Sequence, residues 1–220
     1  MNVRLGFLGL IVSALPAWSG TALAETRALV VGVSDYPKLS ETIWLKGPKN
    51  DSREMANMLA RLGVTPANIT VLADGSRDLA EGIQHGGMGT KKAILDGLDY
   101  LAQTSQRGDL VVFYFSGHGS QQADLDGDEE GGRDGIFLPY DTGKWTGEGV
   151  ENAIVDDELS ARIQVILDKG VDFFGVIDAC HSATGFRAVP GDDSMARRVD
   201  PSELGVPDSV DAPSRGITLA

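Results

Sequence analysis

Cysteine is nearly absent from this chain: 220 residues hold one, Cys180, together with three histidines. A single cysteine excludes an internal disulfide and leaves a free thiol that needs a reason. Positive charge is also scarce, with 19 Lys and Arg against 32 Asp and Glu and a net charge of -13. An acidic surface repels phosphate and attracts cationic substrates or metal ions, so nucleic acid is not expected as a partner. Long hydrophobic runs are missing after the first 24 residues, and no internal repeat is present. Within those 24, Arg4 precedes the apolar residues 5–15, and Ala22-Leu23-Ala24 offers a small-residue cleavage site. The apolar part is about a dozen residues, short of the roughly 20 that a spanning helix needs. Residues 1–24 therefore read as a secretory signal peptide with a mature start at Glu25, and stable membrane insertion is not expected. Loss of Arg4 takes the net charge from -13 to -14. The expected location is secreted or periplasmic.

With 42% hydrophobic residues the chain is long enough for one sizeable core and too short for two full domains. Residues 28–33, 69–72, 110–115 and 171–177 are short apolar runs bounded by turn residues, the pattern of buried strands. Between them lie helical faces: Met55, Met58, Leu59 and Leu62, ended by Gly63; Ile94, Leu98 and Leu101, capped by Thr90; and Leu159, Ile163 and Ile166. Residues 136–138 form a short extended piece, and His85 falls in a loop. This alternation predicts an α/β fold, a mostly parallel sheet covered by helices on both faces. From Arg187 onward the apolar periodicity stops, which predicts a catalytic domain over 25–186 and a flexible tail or linker over 187–220.

Two of the strand runs end in a reactive side chain. Residues 110–115 lead into Ser116-Gly117-His118-Gly119, and residues 171–177 lead into Asp178-Ala179-Cys180-His181-Ser182. In open α/β sheets chemistry sits beyond the carboxyl ends of the strands, so His118 and Cys180 are expected on one rim. A cysteine peptidase needs a thiolate nucleophile, an imidazole to manage protons and N–H donors for the oxyanion. Cys180, His118, and the backbone N–H groups of Gly119 and Cys180 supply these roles. His181 follows Cys180 directly, so its side chain is expected to point away from the thiol.

The segments Tyr114-Phe115-Ser116-Gly117-His118-Gly119-Ser120 and Asp178-Ala179-Cys180-His181-Ser182 resemble the histidine and cysteine motifs of metacaspases and their bacterial caspase-like relatives. The likeness covers about residues 27–186, including Lys49-Asn50-Asp51 and Ile154-Val155-Asp156-Asp157-Glu158-Leu159 in family order. It implies a caspase-hemoglobinase-like three-layer sandwich with a mostly parallel central sheet. It also implies a Cys-His dyad and cleavage of peptide or protein substrates after Arg or Lys, through a pocket of Asp51, Ser116 and Asp178. Carboxylates suit a guanidinium partner well. Asp51 reads equally as a helix cap. Arg187, Arg197, Arg198 and Arg215 are then candidate self-cleavage sites in the tail.

By the same resemblance, calcium ligands fall at Asp134, Asp156 and Asp157. Seven residues past the nucleophile, where calcium-activated metacaspases carry an aspartate, stands Arg187, whose charge opposes a cation. The run from Asp124 to Glu130 lacks the glycine and glutamate positions of an EF-hand. No organic cofactor is expected and no metal is required, with calcium left as an alternative. Caspase-like enzymes continue past the nucleophile with a smaller part, whereas 40 residues follow Cys180 here. A missing smaller subunit or partner is one expectation. The competing function is a catalytically incompetent caspase-like module that binds peptide or a partner protein.

Overall fold

The computed structural model describes residues 24–75, 78–127, 129, 131–179 and 197–208. Along the chain run β1 (Thr26–Gly32), α1 (Pro48–Arg61), β2 (Ile69–Ala73), β3 (Gln84–His85), α2 (Lys91–Thr104), β4 (Leu110–Ser116), β5 (Gly119–Ala123), β6 (Arg133–Phe137), β7 (Ile154–Val155), α3 (Asp156–Asp168) and β8 (Asp172–Asp178). Helix α1 opens on Pro48, whose missing N–H costs nothing at a first helical position, and Gly63 follows the helix with a φ of +98°. Thr90 caps α2, its side chain accepting from the Ala93 N–H at 3.2 Å.

Five strands form one parallel sheet in the order β3-β2-β1-β4-β8. The side chains of β1 alternate between the two faces, as the two-residue strand period requires. Leu29 and Val31 join Ile94, Leu98, Leu159 and Ile166 of α2 and α3, while Ala28 and Val30 join Ala56 and Leu59 of α1. The result is a three-layer α/β/α sandwich with a parallel centre, the fold class that the sequence predicts. Among the described residues no helix is long and apolar enough to cross a membrane.

Three features depart from the sequence expectation. His85 lies not in a loop but in β3, where it pairs with Val71 at the sheet's edge. Residues 119–155 build a second, antiparallel sheet in the order β5-β6-β7, of which only the Ile136 region was expected to be extended. Residues 197–208, assigned by sequence to a flexible tail, are docked: Val199, Leu204 and Val206 are buried in the main core. Three apolar side chains at irregular spacing leave no periodic signal, yet they bury as a set around the short 3-10 helix Pro201–Leu204.

The register sets the carboxyl-terminal rim. Gly32 pairs with Ser116, and Ser116 pairs with Asp178, so β1, β4 and β8 end in one row. β1 and β4 lie on either side of the point where the chain reverses its direction of winding, the place where such sheets bind ligands. Gly32 also lets the start of α1 approach, because a Cβ there would lie 2.5 Å from both the Pro48 carbonyl oxygen and Ser52 Oγ. That contact brings Asp51 to the rim. Gly32→Ala is expected to push α1 away and to cost about 1–3 kcal/mol, the usual range for overpacking. Urea unfolding checks this, and an unchanged midpoint would contradict it.

Candidate active site

His118 follows β4 by two residues and is buried, 2% exposed. Its Nε2 lies 2.6 Å from the carbonyl oxygen of Ile43. A carbonyl only accepts, so Nε2 carries the proton and Nδ1 keeps its lone pair. Nδ1 is buried without a hydrogen-bond partner among the described residues, which makes it the atom free to take a proton. The ring thus has the base's tautomer, oriented by a third group, as nucleophile activation requires. Burial pushes its pKa below the ordinary 6.5, against the raising effect of the Ile43 carbonyl.

The loop after β1 supports this ring. Tyr36 is fully buried, its hydroxyl oxygen accepting from the His118 backbone N–H at 2.8 Å, and its ring centroid sits 5.2 Å from the imidazole. Burial drives the Tyr36 pKa upward, so the phenol stays neutral. Asp74, just past β2, accepts from the backbone N–H groups of Ser34 and Asp35 at 2.9 and 3.0 Å and pins the loop. Sequence reasoning found none of Tyr36, Ile43 and Asp74. Asp74 carried a strand-end signal, but the Ile43 contribution is a backbone carbonyl that no residue type announces.

Cys180 and His181 lie outside the described residues, as does Arg187. Asp178, two residues before Cys180 in the sequence, ends a strand paired to Ser116, and the Gly117 N–H donates to the Asp178 carbonyl at 3.3 Å. His118 and Cys180 each follow one of these paired residues by two positions. Gly119, the other named oxyanion donor, begins β5 beside His118.

Asp51, Ser116 and Asp178 come together. Arg197 Nη2 lies 2.8 Å from Asp51 Oδ2, Arg197 Nη1 lies 2.6 Å from Asp178 Oδ2, and Nη1 also donates to Ser116 Oγ. Ser116 Oγ donates to Asp51 Oδ2 at 3.4 Å. Asp51 is not the cap of α1, since Gly47 holds that position. Gly47 instead leaves space, because a Cβ on it would stand 3.1 Å from Asp51 Oδ2 and 3.2 Å from Arg197 Nη2. The arrangement is a carboxylate-lined pocket holding a guanidinium.

The three implied calcium ligands do not form such a set. Among the described residues no group of three or more His, Cys, Asp or Glu side chains is arranged to hold a metal ion. Asp134 is buried in β6, receives a hydrogen bond from Gln122 Nε2 at 3.3 Å, and has its pKa pushed up to about 6 by burial, with Asp124, Asp126 and Asp156 adding to the rise. Asp156 and Asp157 open α3. The residues present do not fit a calcium site, and no chemical step is assigned to one.

A parallel α/β sandwich with histidine and cysteine motifs on adjacent strand ends defines a caspase-like peptidase domain. The family model for the metacaspase, peptidase C14 domain matches residues 26–188, and the chain belongs to that family. It is 33% identical over 159 residues to Metacaspase-1 of Kluyveromyces lactis, covering 72% of this chain and 33% of that protein. It is 36% identical over 161 residues to Metacaspase-2 of Arabidopsis thaliana, covering 73% and 35%. The chain spans about a third of the length of these curated relatives. A crystal structure of a Geobacter sulfurreducens protein aligns with a TM-score of 0.50 at 26% identity, covering 73% of this chain and 52% of that one.

The tautomer and burial of His118 generate a titration prediction. Followed by NMR in Cys180→Ala, the His118 imidazole is expected to titrate below 6.5, with burial as the main cause. It is neutral at pH 7. Disappearance of the signal in His118→Gln assigns it, and a midpoint above 6.5 would contradict the geometry.

Proposed function

We propose that this chain is an exported cysteine endopeptidase that hydrolyses peptide bonds after Arg or Lys, with Cys180 as nucleophile and His118 as base. The observation that carries this reading is the pocket of Asp51, Ser116 and Asp178, two carboxylates and a hydroxyl already gripping a guanidinium. Export rests on the pattern of residues 1–24.

The chemistry follows from the rim. A substrate arginine enters the pocket and brings its carbonyl carbon to Cys180. His118 Nδ1 takes the thiol proton as Sγ attacks; burial favours the neutral imidazole, so the proton moves with the attack. Negative charge developing on the carbonyl oxygen is met by the backbone N–H groups of Gly119 and Cys180. His118 then protonates the leaving amine, the C–N bond breaks, and water hydrolyses the thioester to release a carboxylate and restore the thiol. The Ile43 carbonyl holds the ring's tautomer through both proton transfers. These steps call on no organic cofactor, and none of them is assigned to a metal.

A partner that completes the sheet belongs to the same reading. Among the described residues β8 pairs with β4 alone, and Phe174 and Ile177 of β8 are exposed. Such residues on an open strand suit a further protein segment.

Fluorogenic peptides ending in Arg or in Asp test the assignment. Hydrolysis after Arg and not after Asp is expected, with a loss of about 10³-fold or more in Cys180→Ala and in His118→Gln. Asp178→Asn is expected to raise KM for the Arg peptide by about tenfold, the worth of one charge-assisted contact, with little change in kcat. Equal cleavage of the two peptides, or activity surviving in Cys180→Ala, would overturn the reading. Folded protein that cleaves neither peptide would favour the peptide-binding module.

A further inference from the structure

The end of the sheet opposite His118 holds a charged cluster that the chemistry above does not use. Asp109, just before β4, is buried, 6% exposed. Its Oδ1 accepts from the Glu25 backbone N–H at 2.9 Å, and its Oδ2 accepts from Arg27 Nη1 at 2.7 Å and from the Gln106 N–H at 2.9 Å. Arg27 Nη2 also lies 2.6 Å from the Glu25 carboxylate. Against the raising effect of burial, the N–H groups of Glu25 and Gln106 together with Arg27 hold the Asp109 pKa below the ordinary carboxylate range, so it is ionised at pH 7. Two carboxylates therefore share one guanidinium. Arg107, two residues before Asp109, packs against Gly170 instead, where a Cβ would stand 2.6 Å from its Nη1. The Glu25 carbonyl accepts from the Leu110 N–H at 2.9 Å, which aligns residue 25 with β4 one position before β1 begins. The nitrogen on Asp109 Oδ1 is the one that cleavage after Ala22-Leu23-Ala24 frees.

We propose that Asp109 is the receptor for the mature amino terminus: the α-ammonium group created at Glu25 by removal of residues 1–24 completes this cluster and fastens β1 to β4. The proposal rests on the export reading above and on neither the thiol nor the arginine pocket. Hydrolysis by a leader peptidase, the enzyme that small-residue sites serve, breaks the Ala24–Glu25 C–N bond. The oxygen of water goes to the Ala24 carbonyl carbon, the leader departs as a carboxylate, and the Glu25 nitrogen takes up protons to become an ammonium group.

In the uncut chain that nitrogen is a neutral amide. The ammonium keeps the bond to Asp109 and makes it charge-assisted, roughly twice as strong as a neutral one. It also balances the cluster, two carboxylates against two cations. A free α-amino group titrates at about 7.7–8.0. Asp109 and the Glu25 carboxylate raise that value, and Arg27 lowers it; Asp109 touches the nitrogen directly whereas Arg27 acts across the carboxylates it pairs with, so the rise prevails. The contribution to stability is then complete below about pH 8 and is lost as the pH climbs through the raised value. Removal of the leader thus strengthens the fold at the end of the sheet away from the site.

Sequencing of the amino terminus of the full chain, recovered after export from a secreting host, is expected to start at Glu25. The pH profile of amine acylation then reads the α-amino group of the folded mature chain, beside Asp109→Asn and beside a chain that begins at Ala24, which keeps Asp109 and moves the amine one residue outward. The mature chain is expected to show a midpoint above 8 and, at about pH 8, to react about fivefold more slowly than the chain beginning at Ala24. Asp109→Asn is expected to return the midpoint to the ordinary value. One midpoint shared by the mature chain and the chain beginning at Ala24 overturns the receptor and leaves export standing. A chain recovered uncut, or cut elsewhere, overturns the cleavage site and the proposal with it.

Discussion

Parallel strands end together only where their register holds them, and here backbone pairing aligns Gly32 with Ser116 and Ser116 with Asp178. Each part of the site is placed relative to that row. Residues 116–119 hold the pocket hydroxyl of Ser116, the proposed base His118 and the proposed oxyanion donor Gly119 within four positions, and Asp178 holds a carboxylate two residues before Cys180. Gly32 supplies no side chain at all, and that is its role: the space above it admits α1 and hence Asp51. The core behind the row is apolar on both faces of the sheet, so a slip of one residue would turn every strand side chain to the wrong layer. Register, core and site are one constraint.

The site divides into a rigid and an exchangeable half. His118 is held by Ile43, Tyr36 and its own burial, all of them contacts within the core. The pocket is more open: Asp51 and Asp178 keep 36% and 45% of their side-chain surface and Arg197 keeps 22%. Exposed ion pairs of this kind are worth little individually, about 0–1 kcal/mol. A pocket of such strength would release one arginine and accept another, as the proposed specificity requires.

Much of this was legible in the sequence because the signals were local. The apolar runs of β1, β2, β4 and β8 and the helical faces of α1, α2 and α3 lie where their periodicity puts them, and Thr90 is the cap its position suggests. The grouping of Asp51, Ser116 and Asp178 was legible only through family resemblance, since 127 positions separate Asp51 from Asp178. What stayed hidden was non-periodic. The strands β5 to β7 are short or polar, so alternation is weak, and β3 has two residues. Residues 197–208 dock through three scattered apolar side chains and an arginine whose partners lie far back in the chain. Polar composition marked that segment as tail, but its charge was complementary to a pocket.

The central claim is that Arg197 is bound by the pocket carboxylates rather than lying beside them. A double-mutant cycle on unfolding free energy tests it most directly, pairing Arg197→Ala with Asp178→Asn in a Cys180→Ala background. A coupling of about 1 kcal/mol is expected for a partly exposed, charge-assisted contact. Effects that add to within about 0.3–0.5 kcal/mol, as for independent sites, would contradict the account.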